Sequence, residues 1–138
     1  IINDFPEIAA KLNCDGCHIG QKDLSIQQTK QIMKSNKIIG VTCHNSKELA
    51  LSAEKYGASY LAFGSFFKTK TKKTKFKAGP KLLQWAHKNL KTPVVAIGGI
   101  NEENYKLLLQ NGAKYIACSS YIWKNSKYNP LKALNQLK

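Results

Sequence analysis

Short apolar runs recur along the chain, and segments with apolar residues at helical spacing lie between them. Each run is almost continuously apolar instead of alternating with polar residues, which is typical of parallel strands buried on both faces. The predicted strands span residues 1–2, 16–19, 38–43, 60–64, 94–97 and 115–119. The pattern therefore predicts six strand-helix units in a parallel α/β architecture.

Signals for the start and end of a helix accompany most of these runs. Asn45 with Glu48 resembles a capping box, and Asn101 precedes two glutamates that suit the positive end of a helix. Gly57 and Gly112 suit the left-handed turn at a helix end. Three further helices are predicted to begin at Pro6, Pro80 and Pro130.

Helical spacing also predicts which side chains face the sheet. The first helix should turn Ile8, Ala9 and Leu12 inward, and the last helix should do the same with Leu134 and Leu137. Burial of such an apolar face is what stabilises a short helix in a folded protein.

The regular alternation limits the choice of fold. A closed (β/α)₈ TIM barrel usually needs about 200 residues or more, so six units correspond to about three quarters of one. An open, doubly wound parallel sheet would show the same periodicity, and the pattern alone does not separate the two. Residues 1–138 contain no internal linker, which predicts a single domain.

Composition is that of an ordinary globular domain, with 43% hydrophobic and 22% charged residues. No stretch approaches the roughly 18 consecutive apolar residues of a membrane span, and no charged-then-apolar N-terminal segment resembles a signal peptide. Four cysteines without an export signal indicate reduced thiols in a cytoplasmic protein. We therefore expect neither a membrane partner nor secretion.

The formal charge is +14, from 22 basic and 8 acidic side chains, and every basic residue is a lysine. Nucleic-acid recognition relies strongly on arginine, whose planar fork reads guanine edges and clamps phosphates. A general lysine bias thus explains most of the charge without a nucleic-acid partner. The exception is the stretch 68–77, called the lysine loop below, which holds six lysines in ten residues.

The lysine loop allows three interpretations. Its threonine hydroxyls and lysines suit closure over anionic groups, and a solvated basic loop or a nucleic-acid contact would have the same composition. Phe67 and Phe76 flank the lysines without interleaving with them, which disfavours a base-stacking platform.

The segment CDGCH at residues 14–18 has the spacing of a haem-attachment motif. The residues after His18 resemble a strand end and a loop, whereas a haem-attachment histidine normally lies at a helix start. We favour the interpretation that the segment turns the chain and then places Cys17 and His18 on opposite faces of a strand. A zinc site is disfavoured as well, since a second closely spaced pair is missing from the candidate ligands Cys14, Cys17, Cys43 and His44.

Two of the three aspartates lie where predicted strands run into loops, Asp4 after the first strand and Asp23 after the second. In a parallel barrel the carboxyl ends of the strands share one face, so the two carboxylates could approach a common point. Oxygen ligands there suit Mg²⁺, which often bridges to substrate phosphates. The residues alone leave open the plainer roles of a helix cap for Asp4 and a turn residue for Asp23.

A diglycine, Gly98-Gly99, and a diserine, Ser119-Ser120, follow the last two predicted strands. Glycine lets a phosphate approach backbone N–H groups near the positive end of a helix. Phosphate sites in barrels commonly form from the loops after the last two strands, so the two pairs together predict a phosphorylated substrate.

Five motifs, in order and spacing, resemble the thiamine phosphate synthase family over essentially the whole chain. They are IND at 2–4, DGCHIGQKD at 15–23, IGVTCH at 39–44, TKTKK at 69–73 and AIGGI at 96–100. The resemblance implies a (β/α)₈ barrel and a Mg²⁺-dependent transferase. That enzyme would join an aminopyrimidine methyl diphosphate to a thiazole phosphate, giving thiamine phosphate and diphosphate through a pyrimidine carbocation.

The resemblance also implies roles for individual residues. Asp4 and Asp23 would hold Mg²⁺. Thr42, which stands where serine is usual, and Lys72 would be catalytic contacts of the diphosphate, and Asn3 would also bind it. The thiazole phosphate would be bound by Thr69, Thr71, Gly99, Ser119 and Ser120.

Two departures from the family pattern accompany this resemblance. Lys68 stands where the loop usually opens with proline. The first two strand-helix units of the family are missing, with their Gln-x-Arg-x-Lys pattern that grips the diphosphate. We therefore expect a longer parent chain, of which these residues are the last six units of a barrel.

Two alternative functions are open at this point. One is the thiazole tautomerase of the same family, and His44 could serve proton transfer under either activity. The other is a basic nucleic-acid-binding protein. Small phosphorylated pyrimidine and thiazole substrates are the partners that we expect, and a homo-oligomer is left open.

Overall fold

The computed structural model describes residues 1–34, 36–69 and 75–138. Its strands are β1 (Ile2–Asn3), β2 (Gly16–Ile19), β3 (Ile38–His44), β4 (Tyr60–Gly64), β5 (Val94–Ile97) and β6 (Tyr115–Ala117). Its helices are α1 (Pro6–Lys11), α2 (Ile26–Met33), α3 (Lys47–Lys55), α4 (Pro80–Asn89), α5 (Tyr105–Gln110), α6 (Ser120–Trp123) and α7 (Pro130–Asn135). Strands and helices alternate as the apolar runs predict.

All six strands lie in one sheet, and neighbours in sequence are neighbours in space. The order is β1-β2-β3-β4-β5-β6, and every adjacent pair is parallel. A doubly wound sheet reverses its strand order at a switch point, whereas a TIM barrel adds each strand beside the previous one. The sheet is therefore a curled part of a (β/α) barrel, which confirms the barrel prediction; within the described ranges its edges are β1 and β6.

The two faces of the sheet carry different residues, because successive side chains on a strand point to opposite sides. Outward-facing side chains pack against the helices and form the core, in which Phe63, Ile39 and Leu61 are among the largest fully buried residues. The alternate, inward-facing positions line a cleft, where small or polar residues are mixed with larger apolar ones such as Ile38, Val95 and Ile97. The strands thus separate the stabilising core from the surface that is available for chemistry.

Every helix except α6 turns one to three buried residues toward the core. In α1 the buried residues are Pro6 and Ala9, as predicted for Ala9, while Ile8 is 46% exposed and Leu12 is 64% exposed, so the prediction of an inward Ile8 and Leu12 was wrong. In α7 the buried residue is Ala133 and Leu134 is 50% exposed. Both helices have only six residues. In each of these short helices a small side chain, Ala9 or Ala133, packs against the core. The larger side chains beside it remain exposed.

Two predicted N-caps are also wrong. Helix α3 is capped by Ser46, whose Oγ accepts a 3.1 Å hydrogen bond from the Leu49 N–H, because Ser46 rather than Asn45 lies three residues before that donor. Helix α5 begins at Tyr105, and Asn101 instead closes a turn by accepting a 3.1 Å bond from the Glu103 N–H. The turns that follow α3 and α5 do use left-handed glycines as predicted, with φ 79° at position 57 and 108° at position 112.

The strand ends differ from the prediction by one or two residues. Strand β1 includes Asn3, strand β3 extends to His44, and strand β6 ends before Cys118. As a result, the diserine at 119–120 lies at the start of α6 instead of at the end of a strand.

Residues 16–18 of the cysteine motif lie in strand β2. Cys17 is buried in the core on the outer face, while the next residue, His18, lies on the inner face. All four cysteines are free thiols, and burial raises the pKa of Cys17 and raises that of Cys43 to about 12. The metal-binding form of cysteine is the thiolate, which this burial disfavours. In the described ranges no group of three or more His, Cys, Asp or Glu residues is placed to hold a metal ion.

The helices of the described ranges are all too short or too polar to span a membrane.

Candidate functional site

A cleft of about 1480 Å³ lies over the inner face of the sheet and the carboxyl ends of the strands. Small residues at inward positions, among them Ala62, Gly64 and Ala117, line part of this cleft. The predicted site residues that the structure describes all line it: Asn3, Asp4, Asp23, Thr42, Thr69, Gly99, Ser119 and Ser120. Thr71 and Lys72 lie outside the described residues.

Each of the two aspartates that line the cleft makes a hydrogen bond that involves the backbone. The Asp4 N–H donates a 2.8 Å hydrogen bond to the His18 carbonyl oxygen, and Asp4 adopts a left-handed conformation with φ 66°. The N-cap position of α1 is Phe5, so Asp4 is not a helix cap. The Asp23 Oδ2 atom accepts a 2.7 Å hydrogen bond from the Gly20 N–H, which closes the turn after β2.

The donor chemistry of this pair fits Mg²⁺. Two carboxylates are hard oxygen ligands, and Mg²⁺ commonly takes one or two of them while keeping water and substrate phosphate as its other ligands. Zinc would prefer three or four protein ligands that include nitrogen or sulfur, and the described residues do not group in that way. Asp4 and Asp23 are therefore the residues that could hold a magnesium ion here.

A chain of side-chain hydrogen bonds crosses three strands on the floor of the cleft. Tyr60 Oη lies 2.9 Å from His18 Nδ1, and His18 Nε2 lies 2.8 Å from Thr42 Oγ1. The rings of His18 and Tyr60 also stack, with centroids 5.5 Å apart. Burial raises the pKa of Tyr60, so its phenol is protonated near neutral pH.

His44 lies at the end of β3, beneath the last residues of the lysine loop. Its ring stacks on that of Phe76 at a centroid distance of 4.0 Å, and burial lowers the pKa of His44. The neighbouring Asn45 donates a 3.1 Å hydrogen bond from Nδ2 to the Lys77 carbonyl oxygen. A neutral imidazole at this position is able to accept a proton from a ligand in the cleft.

The diglycine after β5 allows a close approach of two loops. Gly98 and Gly99 have φ 104° and 69°, and a Cβ atom on Gly99 would lie 2.5 Å from the Lys68 carbonyl oxygen. The Phe67 N–H donates a 3.0 Å hydrogen bond to the Gly98 carbonyl oxygen. Both glycines thus have a packing role. The helix that was expected directly after them begins only at Tyr105.

Three residues that line the cleft are absent from the predicted site residues. Tyr60 was counted only as a strand residue, His18 as part of a cysteine motif, and Gln21, which donates from Nε2 to the Thr42 carbonyl oxygen, only as part of a motif. The sequence did contain a signal for His18 and Tyr60. Alternation along β2, β3 and β4 places His18, Thr42 and Tyr60 on the face opposite the buried aliphatic residues.

Comparison with known proteins gives one consistent result. A thiamine-phosphate synthase of Pelagibacter ubique (strain HTCC1062) is 54% identical over 138 residues, which are 100% of this chain and 66% of that protein. A thiamine-phosphate synthase of Rhodospirillum centenum (strain ATCC 51521 / SW) is 43% identical over 91% of this chain and 60% of that protein.

A solved structure, thiamine phosphate pyrophosphorylase from Pyrococcus furiosus, matches with a TM-score of 0.86 at 36% identity and covers 98% of this chain and 63% of that chain. The chain thus spans slightly less than two thirds of the length of these relatives. The sequence model of the family described as thiamine monophosphate synthase matches residues 1–122. With that match covering most of its length, the chain belongs to the thiamine monophosphate synthase family.

Proposed function

We propose that the protein containing this chain is a thiamine-phosphate synthase. The reaction breaks the C–O bond between the pyrimidine methylene carbon and diphosphate, which leaves with the electron pair, and forms a C–N bond from that carbon to the thiazole nitrogen. The observation that carries the proposal is the placement of Asp4 and Asp23 in the same cleft as Gly99, Ser119 and Ser120. One cleft then offers a metal site for a diphosphate and a separate site for a second phosphate.

The residues around the acid pair would bind the diphosphate. Asp4 and Asp23 would hold Mg²⁺, which when bound neutralises charge on the leaving diphosphate. Asn3 and Thr42 both line the cleft and would donate hydrogen bonds to the diphosphate. By family resemblance, Lys72 would add a positive charge.

The opposite side of the cleft would bind the thiazole phosphate. Gly99 offers backbone without a side chain, and Ser119 and Ser120 offer hydroxyl and backbone donors at the start of α6. Thr69 lines the same cleft, and by family resemblance Thr71 would lie near the thiazole ring. The excess of lysine over acidic residues in the chain would attract both anionic substrates.

The acid pair favours the synthase over the thiazole tautomerase of the same family. The tautomerase isomerises a thiazole carboxylate phosphate and needs no site for a metal-bound diphosphate. Asp4 and Asp23 have no evident use in that reaction, whereas His44 would suit either activity. The synthase is therefore the better account of the described residues.

The test supplies the complete protein with both phosphorylated substrates, with and without Mg²⁺, and measures thiamine phosphate. We expect product only when Mg²⁺ is present. Absence of product in the presence of Mg²⁺ would overturn the proposal. Isomerisation of the thiazole carboxylate phosphate in the same preparation would then support the tautomerase, and strongly salt-dependent DNA binding without turnover would support the nucleic-acid alternative.

We also propose a cytoplasmic location. The four free cysteines of the chain, two of them buried, suit a reducing compartment. Cell fractionation followed by detection of the protein tests this proposal, and recovery from the periplasm or the membrane would contradict it.

A further inference from the structure

His18, Gly40 and Tyr60 lie at one level of the sheet, on three neighbouring strands. In the strand register His18 pairs with Gly40, and Gly40 pairs with Tyr60. Adjacent strands are about 4.8 Å apart, so His18 and Tyr60 are separated by about two such spacings. Their side chains meet because position 40 has no side chain: a Cβ atom there would lie 2.0 Å from Tyr60 Cζ.

When His18 is neutral, its hydrogen bonds to Tyr60 and Thr42 can run in two directions. A neutral imidazole has one N–H donor and one acceptor nitrogen. In the first direction, the Tyr60 hydroxyl donates to Nδ1 and the Nε2–H donates to Thr42 Oγ1. In the second, the Thr42 hydroxyl donates to Nε2 and the Nδ1–H donates to the Tyr60 oxygen.

The chemistry of the two hydroxyls favours the first direction. A phenol has a pKa of about 10, far below that of an aliphatic alcohol, and is therefore the stronger donor and the weaker acceptor. Tyr60 remains protonated in its half-buried position. Thr42 is then the acceptor of the chain, and its own hydroxyl hydrogen is left to point toward a ligand in the cleft.

We propose that Tyr60 is a positioning residue that acts through His18 to present the Thr42 hydroxyl as a hydrogen-bond donor to an anionic ligand. In the setting of the proposed function, on which this inference rests, the ligand is the diphosphate of the pyrimidine substrate. Without Tyr60, the Thr42 hydroxyl is free to donate to His18 Nε2, and the hydrogen bond to the ligand is lost in those molecules. A hydrogen bond to a charged group is strong enough that its loss lowers kcat/KM by about tenfold or more.

The first experiment is independent of catalysis. Nitrogen-15 NMR of the imidazoles in the complete protein reports which ring nitrogen carries the proton, and the His18 signal is assigned by its loss in His18→Gln. We expect the Nε2–H tautomer in the wild-type protein and a shift away from it in Tyr60→Phe. An Nδ1–H tautomer or a doubly protonated imidazole in the wild-type protein would overturn the inference.

The second experiment measures kinetics with each substrate varied. We expect Tyr60→Phe to lower kcat/KM for the pyrimidine diphosphate by about tenfold and to leave KM for the thiazole phosphate within about twofold. The matched control is Tyr56→Phe, at an exposed tyrosine whose carbonyl oxygen accepts a 2.7 Å bond from Lys30 Nζ. A Tyr60→Phe enzyme as active as that control would contradict the inference.

Substitutions of His18 distinguish a positioning role of Tyr60 from a role in packing alone. His18→Gln keeps an N–H donor for Thr42 without needing Tyr60, whereas His18→Leu does not. We expect His18→Gln to be at least about tenfold more active than His18→Leu, and Tyr60→Phe to cause no further loss in the His18→Gln background. An equal loss in both backgrounds would contradict the inference.

The outcomes distinguish the two proposals. If the wild-type protein forms no thiamine phosphate, the proposed function fails, and the tautomer measurement alone decides the arrangement of the three side chains. If the wild-type protein is active and Tyr60→Phe changes neither the tautomer nor the rate, only the positioning role fails.

Discussion

The ring of Tyr60 lies against the bare backbone of Gly40, and a Cβ atom at position 40 would come within 2.0 Å of the Tyr60 Cζ atom. Glycine in a strand usually weakens it, because it has no side chain to pack. Here the missing side chain makes room for an aromatic ring that spans the width of a strand. Position 40 therefore connects the packing of the sheet with the hydrogen bonds of the cleft.

We expect Gly40→Ala to lower the free energy of unfolding by about 1–3 kcal/mol, because the added methyl group forces the Tyr60 ring to move. Urea denaturation of the variant beside the wild-type protein measures the change. Gly79→Ala is the matched control, since a Cβ atom there meets nothing within 4 Å. Equal destabilisation by the two substitutions would show that the contact between Tyr60 and Gly40 is not responsible.

Replacing Asp23 by Asn should reduce thiamine phosphate formation by at least about hundredfold, because a ligand and its negative charge are removed from the proposed metal site. Asp15 offers a control of the same type: it is exposed and lies at the opposite end of β2, where its carbonyl oxygen accepts a 2.9 Å bond from the Ile38 N–H. Asp15→Asn should keep nearly full activity. Calorimetric titration with Mg²⁺ and diphosphate should show weaker binding only for Asp23→Asn.

Two substitutions at Asp4 distinguish the role of its negative charge from the role of its backbone conformation. Its φ of 66° is tolerated by asparagine but not readily by alanine, for which the left-handed conformation costs about 1–2 kcal/mol. We expect Asp4→Asn to keep the thermal stability and lose Mg²⁺ affinity, and Asp4→Ala to lose both. Thermal denaturation and Mg²⁺ titration of the two variants test this, and a stable Asp4→Ala protein would contradict the conformational part.

The stability of the fold should depend on pH through His44. Burial lowers the pKa of His44, so between that lowered pKa and about 6.5 the unfolded chain binds more protons than the folded chain. The free energy of unfolding therefore decreases as the pH drops below about 6.5, and it recovers when the pH is raised again. Denaturation curves at several pH values measure this slope.

His44→Asn should flatten the slope, and asparagine suits the left-handed φ of 51° at this position. The same substitution at His87, which is exposed on α4, is the control and should leave the slope in place. An unchanged pH dependence in His44→Asn would assign the effect to another group.

The strands were predictable because parallel strands buried on both faces need nearly continuous apolar runs. The structure moves their ends by only one or two residues, as at Asn3 and Ser119. Helix faces were less predictable. Ile8, Leu12 and Leu134 have the spacing of inward residues, yet the small neighbours Ala9 and Ala133 occupy the contact with the core.

The amino-acid sequence by itself determined the order of strands and helices and placed acids, glycines and serines after strand ends, since these features depend on local patterns. Sequential parallel pairing then brought those strand ends to one cleft. Only the tertiary structure decided that Tyr60 bonds to His18, 42 residues away, and that His18 bonds to Thr42, 24 residues away. Those contacts depend on the register of three strands and on the empty position at Gly40, because a shift of one residue would turn each side chain to the other face of the sheet.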